Sequence, residues 1–243
     1  MSEVMIKAGN LCKYYGSFTA VEGINFEVPR GQVVAFLGPN GAGKSTTMKL
    51  LTGFLSPSEG TAQLAGIDVH QNRLKAAEKL GYLPENGPLY LDMTPRESLQ
   101  FTAEMHGLKG AKLEAARDRV IQICDLSEVI DKPIAKLSKG YRQRVGMAQS
   151  LIHDPEVIIL DEPTSGLDPN QIRTVRKTIR ELAKTKTIML STHILQEVTA
   201  MADRVIFINE GRLIFDGSVD EFKTKGEKLD DTFFELTNPG KEA

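Results

Sequence analysis

Gly38-Pro39-Asn40-Gly41-Ala42-Gly43-Lys44-Ser45-Thr46 decides how the rest of this chain is read. An apolar run, Val33 to Leu37, leads into it, and Thr47-Met48-Lys49-Leu50-Leu51 leads out with helical character. Strand, glycine loop, helix is the setting of a phosphate-binding loop. Glycines let backbone N–H groups curl around a di- or triphosphate without Cβ clashes. The helix that follows turns its positive end toward the same anion. In that setting Lys44 reaches the outer phosphates and the Ser45 hydroxyl is a ligand for Mg²⁺.

The 243 residues suit one large α/β domain with room for an inserted subdomain and a sizeable core. A net charge of −2 gives no global electrostatic case for nucleic acid or for an anionic membrane surface. Cys12 and Cys124 lack metal-like spacing and read as reduced thiols of a cytosolic protein, although spacing leaves a bridge open. No stretch approaches the roughly 18 apolar residues of a membrane span. Met1 to Lys7 lacks the apolar core of a secretory signal. Any membrane role is therefore expected to come through a partner.

Upstream of the loop, Val4 to Ala8, Ala20 to Val28 and Gln32 to Leu37 read as strands, with Pro29-Arg30-Gly31 as a turn. Tyr14-Tyr15-Gly16 falls between the first two. An aromatic before a flexible glycine can stack on a base, and it can equally be an ordinary packed or surface tyrosine. Downstream, Thr61 to Ala65 and Ile67 to Val69 suggest a hairpin about Gly66, residues 71 to 80 a helix, and Gly81 to Pro84 a short buried strand. Glu85-Asn86-Gly87-Pro88 reads as a linker. From Met93 to about Ile152 the pattern is almost wholly helical, opened by the capping box Thr94-Pro95-Arg96-Glu97. A helical block between β-rich halves predicts a subdomain, residues 86–155, inserted into an α/β core of residues 1–85 and 156–225.

Three further stretches carry chemistry. Leu137-Ser138-Lys139-Gly140-Tyr141 opens a helix with a good N-cap, and its free N–H groups offer either a second anion site or a plain cap. Val157 to Glu162 is a buried strand ending in two carboxylates, at the edge where open α/β sheets bind ligands. Acids there hold metal or act as bases, or merely cap the next element; beside a phosphate loop, function is the stronger reading. Pro163 to Pro169 is a loop before an amphipathic helix to about Lys184. His193 lies just past the strand Thr187 to Ser191, and Val205 to Phe215 forms a last hairpin. The tail, residues 226–243, is polar with the aromatic pair Phe233-Phe234.

In this order the motifs resemble the ATP-binding subunits of ABC transporters over about residues 2 to 225. The phosphate loop is similar to their Walker A, Leu137 to Tyr141 to the family signature, and Ile158 to Glu162 to Walker B. Ser165-Gly166-Leu167-Asp168 resembles the loop that crosses the dimer interface, and His193 the switch histidine. Tyr15 stands where the family has its adenine-stacking aromatic. The resemblance implies a P-loop NTPase fold: a RecA-like core with an antiparallel β subdomain and an inserted helical subdomain. It implies ATP and Mg²⁺ as cofactors and a head-to-tail dimer of two copies around two ATP molecules. In one copy, residues 38–46 would hold the phosphates, with Ser45, Asp161 and Glu85 at the metal. Glu162 would polarise the attacking water, and His193 and Lys44 would contact the γ-phosphate. The facing copy would bring Ser138, Lys139 and Gly140, with Asp168 nearby.

Two departures from the family pattern stand out. Glu85 occupies a position where the family usually has Gln, which adds a negative charge near the metal. Lys139-Gly140-Tyr141 stands where many members carry Gly-Gly-Gln. Both resemble the branch that works with separate exporter-type permeases, including drug, polysaccharide and gliding-associated systems. The expectation is an ATPase bound through an integral membrane permease to the inner face of the cell membrane, with no nucleic-acid partner. The alternative is a mechanochemical ABC ATPase that regulates cell-wall or other membrane machinery without moving a solute. A GTPase or kinase would leave the signature without a role, and no Asn-Lys-x-Asp guanine motif stands out.

Overall fold

The structure is a computed structural model that describes residues 3–223; the tail with Phe233 and Phe234 lies outside the described residues. β1 (Val4–Tyr15) and β2 (Phe18–Pro29) form a long antiparallel hairpin. It is longer than the sequence pattern predicts. Register shifts between Ala8 and Leu11, and again to Lys13, break the alternation of side chains while the ladder continues. Tyr14 and Tyr15 therefore belong to the strand itself. β3 (Val33–Leu37) runs into the glycine loop and α1 (Lys44–Leu51) follows it. β4 (Glu59–Leu64) and the two-residue β5 (Ile67–Asp68) complete a four-stranded sheet in the order β2-β1-β4-β5.

α2 (Arg73–Lys79) and β6 (Leu80–Leu83) lead into the helical block. α3 (Pro95–Met105) opens with both halves of the predicted capping box: Glu97 N–H donates to Thr94 Oγ1 and Thr94 N–H donates to Glu97 Oε2. Such a cap stabilises a helix by about 1 kcal/mol. α4 (Gly110–Ile123) and α5 (Lys139–Leu151) follow. The block is less continuous than the pattern suggests. Asp125 turns to φ 50° after α4, and residues 127–136 carry only two short 3-10 turns around Pro133. Proline has no N–H for the helix ladder, which ends the periodic run there.

β7 (Val157–Asp161), α6 (Pro169–Ala183), β8 (Thr187–Thr192), α7 (Leu195–Met201), β9 (Arg204–Asn209), β10 (Arg212–Ser218) and α8 (Val219–Lys223) complete the described chain. The second sheet has the order β10-β9-β3-β8-β7-β6, parallel except for β10 at the edge. Its central strands are buried on both faces, which explains apolar runs without alternation. Val33, Ala35 and Leu37 face a core shared with α3 to α7, while Val34 and Phe36 face a second core under the antiparallel sheet and α1.

The parallel register brings the carboxyl ends of four strands to one edge: Leu37 pairs with Thr192, Asp161 with Ser191, and Leu83 with Leu160. The chain immediately beyond each end is a segment singled out by its sequence.

Candidate active site

The glycine loop needs its glycines for two reasons. Gly43 has φ 101°, outside the range of L side chains, and a Cβ there would stand 2.6 Å from the Ala20 carbonyl. A Cβ on Gly38 would meet the Ile208 carbonyl at 2.3 Å. The β9–β10 turn closes the loop from outside: Gly211 N–H donates to the Ala42 carbonyl at 3.0 Å, and its own carbonyl accepts from Glu22 N–H at 2.9 Å. Both sheets thus clamp the loop.

Lys44 lies folded back into this loop. Its Nζ donates to the carbonyls of Gly38 (2.9 Å) and Pro39 (3.1 Å) and stands 3.5 Å from Glu162 Oε1. Ser45 Oγ donates to Asp161 Oδ1 at 3.3 Å. Asp161 also accepts from Ser191 Oγ at 2.5 Å, and the same hydroxyl accepts from Glu162 N–H at 2.9 Å. Ser191 is fully buried on the neighbouring strand, so one hydroxyl fixes both carboxylate residues. The sequence pattern carries Glu162 inside the strand, whereas β7 stops at Asp161. Glu162 takes φ 49°, which swings its side chain from the ladder toward Lys44 and His193. His193 Nδ1 lies 3.0 Å from Glu162 Oε2.

Lys44, Ser45, Glu162 and His193 border one cavity of about 540 Å³, which Asn40, Gly41, Gly43, Thr46, Glu85 and Ser165 also line, while Asp161 lines the adjoining cavity together with Ser45 and Glu85. The volume of the first is in the range of small-molecule sites. Among the described residues the one Phe, Tyr or Trp on its wall is Phe18, which is 62% exposed. Tyr15 faces Phe18 across the hairpin, is itself half exposed, and carries Lys13 Nζ 5.4 Å above its ring. Sequence reading missed Phe18 and Ser191, and gave Ser165 to the loop resembling the dimer crossing rather than to this wall. Only the register of two hairpin strands brings Phe18 to the wall, and no motif spacing signals it.

Oxygen donors suit a hard cation. Ser45 and Asp161 are hydrogen-bonded to each other, and exposed Glu85 borders the same cavity as Ser45. Among the described residues no group of three or more His, Cys, Asp or Glu side chains could hold a metal. Mg²⁺ bound with phosphates needs only one or two carboxylates from the protein, so the donor set fits. Beside Asp161, the Tyr82 hydroxyl is buried without a partner. Burial and the Asp161 charge push its pKa up, so it stays a neutral phenol.

Ser138, Lys139, Gly140 and Asp168 do not border this cavity. Ser138 caps α5, its Oγ accepting from Tyr141 N–H at 3.3 Å. Asp168 caps α6, accepting from Asn170 and Gln171 N–H at 2.9 and 3.0 Å. The two helix starts adjoin: a Cβ on Gly140 would stand 2.4 Å from the Gln171 side chain, and one on Gly166 2.3 Å from Lys139 Nζ. The chain therefore carries two distinct surfaces, a phosphate cavity and a helix-cap surface.

A glycine loop between strand and helix, with carboxylates and a histidine at the same sheet edge, is the arrangement of the P-loop nucleotide hydrolases. Comparison with known proteins narrows this class. Residues 21–165 match the family profile described as ABC transporter. The chain is 38% identical over 226 residues to the bacitracin transport ATP-binding protein BcrA of Bacillus licheniformis, covering 92% of this chain and 73% of that protein. It is 38% identical over 217 residues to the lantibiotic transport ATP-binding protein SrtF of Streptococcus pyogenes, covering 89% and 92%. The solved structure of cbiO1 from Clostridium perfringens, part of the ABC transporter complex cbiONQ, superposes with a TM-score of 0.83 at 30% identity, covering 98% and 97%. The chain belongs to the ABC transporter family, as an ATP-binding subunit that hydrolyses ATP. No helix among its described residues is long and apolar enough to cross a membrane.

Proposed function

We propose that this chain powers a membrane exporter, working as a head-to-tail dimer that closes on two Mg-ATP molecules. The geometry supports the following division of labour. The loop N–H groups and Lys44 bind the β- and γ-phosphates, a role that requires Lys44 to leave its carbonyl contacts. Ser45, Asp161 and Glu85 would hold Mg²⁺, which supplies positive charge to offset that building on the phosphates. Glu162 orients and polarises the attacking water, and His193, bonded to it, presents its ring to the γ-phosphate. Asn40 and Thr46 line the rest of the cradle, and Tyr15 with Phe18 offers an aromatic edge for the base.

One observation carries the dimer: Ser138, Lys139 and Gly140 lie off the cavity that Lys44, Glu162 and His193 border. Phosphoryl transfer is accelerated by positioning and charge stabilisation, so a half-site without these N–H groups is incomplete. A second copy would bring them, and Asp168 would travel with them. For the permease, we assign the groove beside the metal site. A cavity of about 610 Å³ lies between α1, β6, α3 and α5 and opens past Pro84, Glu85 and Pro88. Exposed Phe54 lies on its wall, and exposed Tyr90, Phe101 and Met105 belong to the neighbouring helical part, residues 86–155. A cytoplasmic segment of an exporter permease seated there would feel Glu85 move as the metal site closes, and would hold the subunit at the inner face of the membrane. The bacitracin and lantibiotic transport relatives support the exporter reading.

The test is Glu162→Gln in saturating Mg-ATP. It is expected to bind ATP, double its mass in light scattering and hydrolyse at least about a hundredfold more slowly. A monomer under these conditions refutes the shared site.

A further inference from the structure

Glu197, in the first turn of α7, is 1% exposed and does not line the phosphate-loop cavity. A carboxylate is costly to bury unless its oxygens are hydrogen-bonded. Both are. Oε1 accepts from Thr164 Oγ1, and Oε2 accepts from Thr192 Oγ1 at 2.8 Å. The two threonines are buried as well and belong to different segments. Thr164 lies two residues past Glu162 in the loop between β7 and α6. Thr192 ends β8 and directly precedes His193. Thr192 Oγ1 also accepts from Ile194 N–H at 3.0 Å, which fixes the turn from β8 into α7.

These bonds close a ring. From Glu162 the chain runs through Pro163 to Thr164, across the Glu197 carboxylate to Thr192, and on to His193. His193 Nδ1 returns to Glu162 Oε2 at 3.0 Å. The same carboxylate thus sets the spacing of two loops whose next residues meet over the cavity. Three well-packed apolar side chains would hold these segments together at least as well, without desolvating a charge. Hydrogen bonds instead fix direction and length. Thr164 also leads into Ser165 and Gly166, the stretch that Lys139 overlies, so the ring reaches toward the helix-cap surface.

We propose that Glu197 is a positioning residue for ATP hydrolysis, a buried clamp that holds Glu162 and His193 in register through Thr164 and Thr192. The inference rests on the roles given above to Glu162 and His193. Loosening the clamp displaces the pair without touching the phosphate loop, so nucleotide binding stays and turnover falls.

The experiment measures kcat, KM and melting temperature of the full chain with Mg-ATP. Glu197→Gln keeps the shape but turns an amide NH₂ toward one threonine. It is expected to lower kcat about ten- to hundredfold, the scale of a misplacement near 1 Å, with KM moving less than about threefold. In a His193→Ala background the same substitution should cost less than about a further twofold, because residues acting as a unit are not additive. Should Glu197 variants fail to fold, Thr164→Val carries the test, with Thr164→Ser restoring most of the lost rate. Multiplying losses in the double variant, or a KM rise matching the kcat loss, overturns the clamp. If Glu162→Gln and His193→Ala are strongly slowed while Glu197→Gln turns over at the full rate, the clamp alone is wrong. If Glu162→Gln and His193→Ala themselves hydrolyse ATP at the full rate, the reading of the active site falls and takes the clamp with it.

Discussion

Ser191→Ala removes one oxygen atom, and the structure says what that atom does. The hydroxyl is fully buried, donates to Asp161 Oδ1 and accepts from Glu162 N–H. Truncation leaves the Glu162 N–H unpaired, at a cost of about 1–3 kcal/mol. It also removes a hydrogen bond to a carboxylate, worth about 1.5–3 kcal/mol. Two features soften the sum. Ser45 Oγ still donates to Asp161, at 3.3 Å, and Glu162 borders the cavity, where water can reach. A net loss of about 3 kcal/mol is expected, or about 6–12 °C in melting temperature for a domain of this size. The assay is urea unfolding of the nucleotide-free chain, comparing midpoints at unchanged slope. Ser45→Ala is the control: its bond is longer and its side chain half-buried, so less than about 1 kcal/mol should be lost. A Ser191→Ala loss below about 1 kcal/mol, or one equal to that of Ser45→Ala, refutes the account of how β8 holds the carboxylates.

Glu85→Gln removes a charge from the proposed metal site, and ATPase activity should then require several-fold more free Mg²⁺; superimposable Mg²⁺ titrations would remove Glu85 from the ligand set. His106 and His153 stack with ring centroids 3.8 Å apart, and His153 Nε2 is held by the Leu80 carbonyl. Burial, with the His106 ring adding to it, pulls the His153 pKa down to about 4, and burial lowers His106 too. The unfolded chain therefore takes up more protons between about pH 6.5 and pH 4. This contribution is whole above pH 6.5 and shrinks as pH falls through that window, by at most about 1.4 kcal/mol per pH unit for each ring. Unfolding midpoints at pH 7 and pH 5 measure it, and a slope unchanged in His153→Phe would assign the effect elsewhere.

Reading the local chemistry of the sequence went far in places. The Thr94–Glu97 capping box, the Ser138 cap and the strand before the glycine loop depend on residues close in sequence, and the structure contains each of them. The pattern was weaker where register or breakers mattered. β1 continues through bulges that disrupt alternation, and the helical block is interrupted by Asp125 and Pro133. α7 does not stand out in the sequence, because a segment of seven residues is shorter than the window of about 11–18 residues over which a helical period is read.

The sequence by itself determined the chemistry available: a phosphate loop, two acids after an apolar strand, a histidine past another, and a capped helix. The local conformations of these stretches are legible because glycine freedom, strand hydrophobicity and capping act over a few residues. Tertiary structure alone decided which of these groups meet. Parallel register carries Asp161 and Ser191 to the same level and brings His193 onto Glu162. Tertiary structure also turns Phe18 rather than Tyr15 to the cavity wall, through the antiparallel first hairpin, and leaves Ser138 to Gly140 on another surface. It buries Glu197 between two threonines 28 residues apart. Such contacts join segments distant in the chain, and their geometry is fixed by sheet order and packing, which no local pattern of residues encodes.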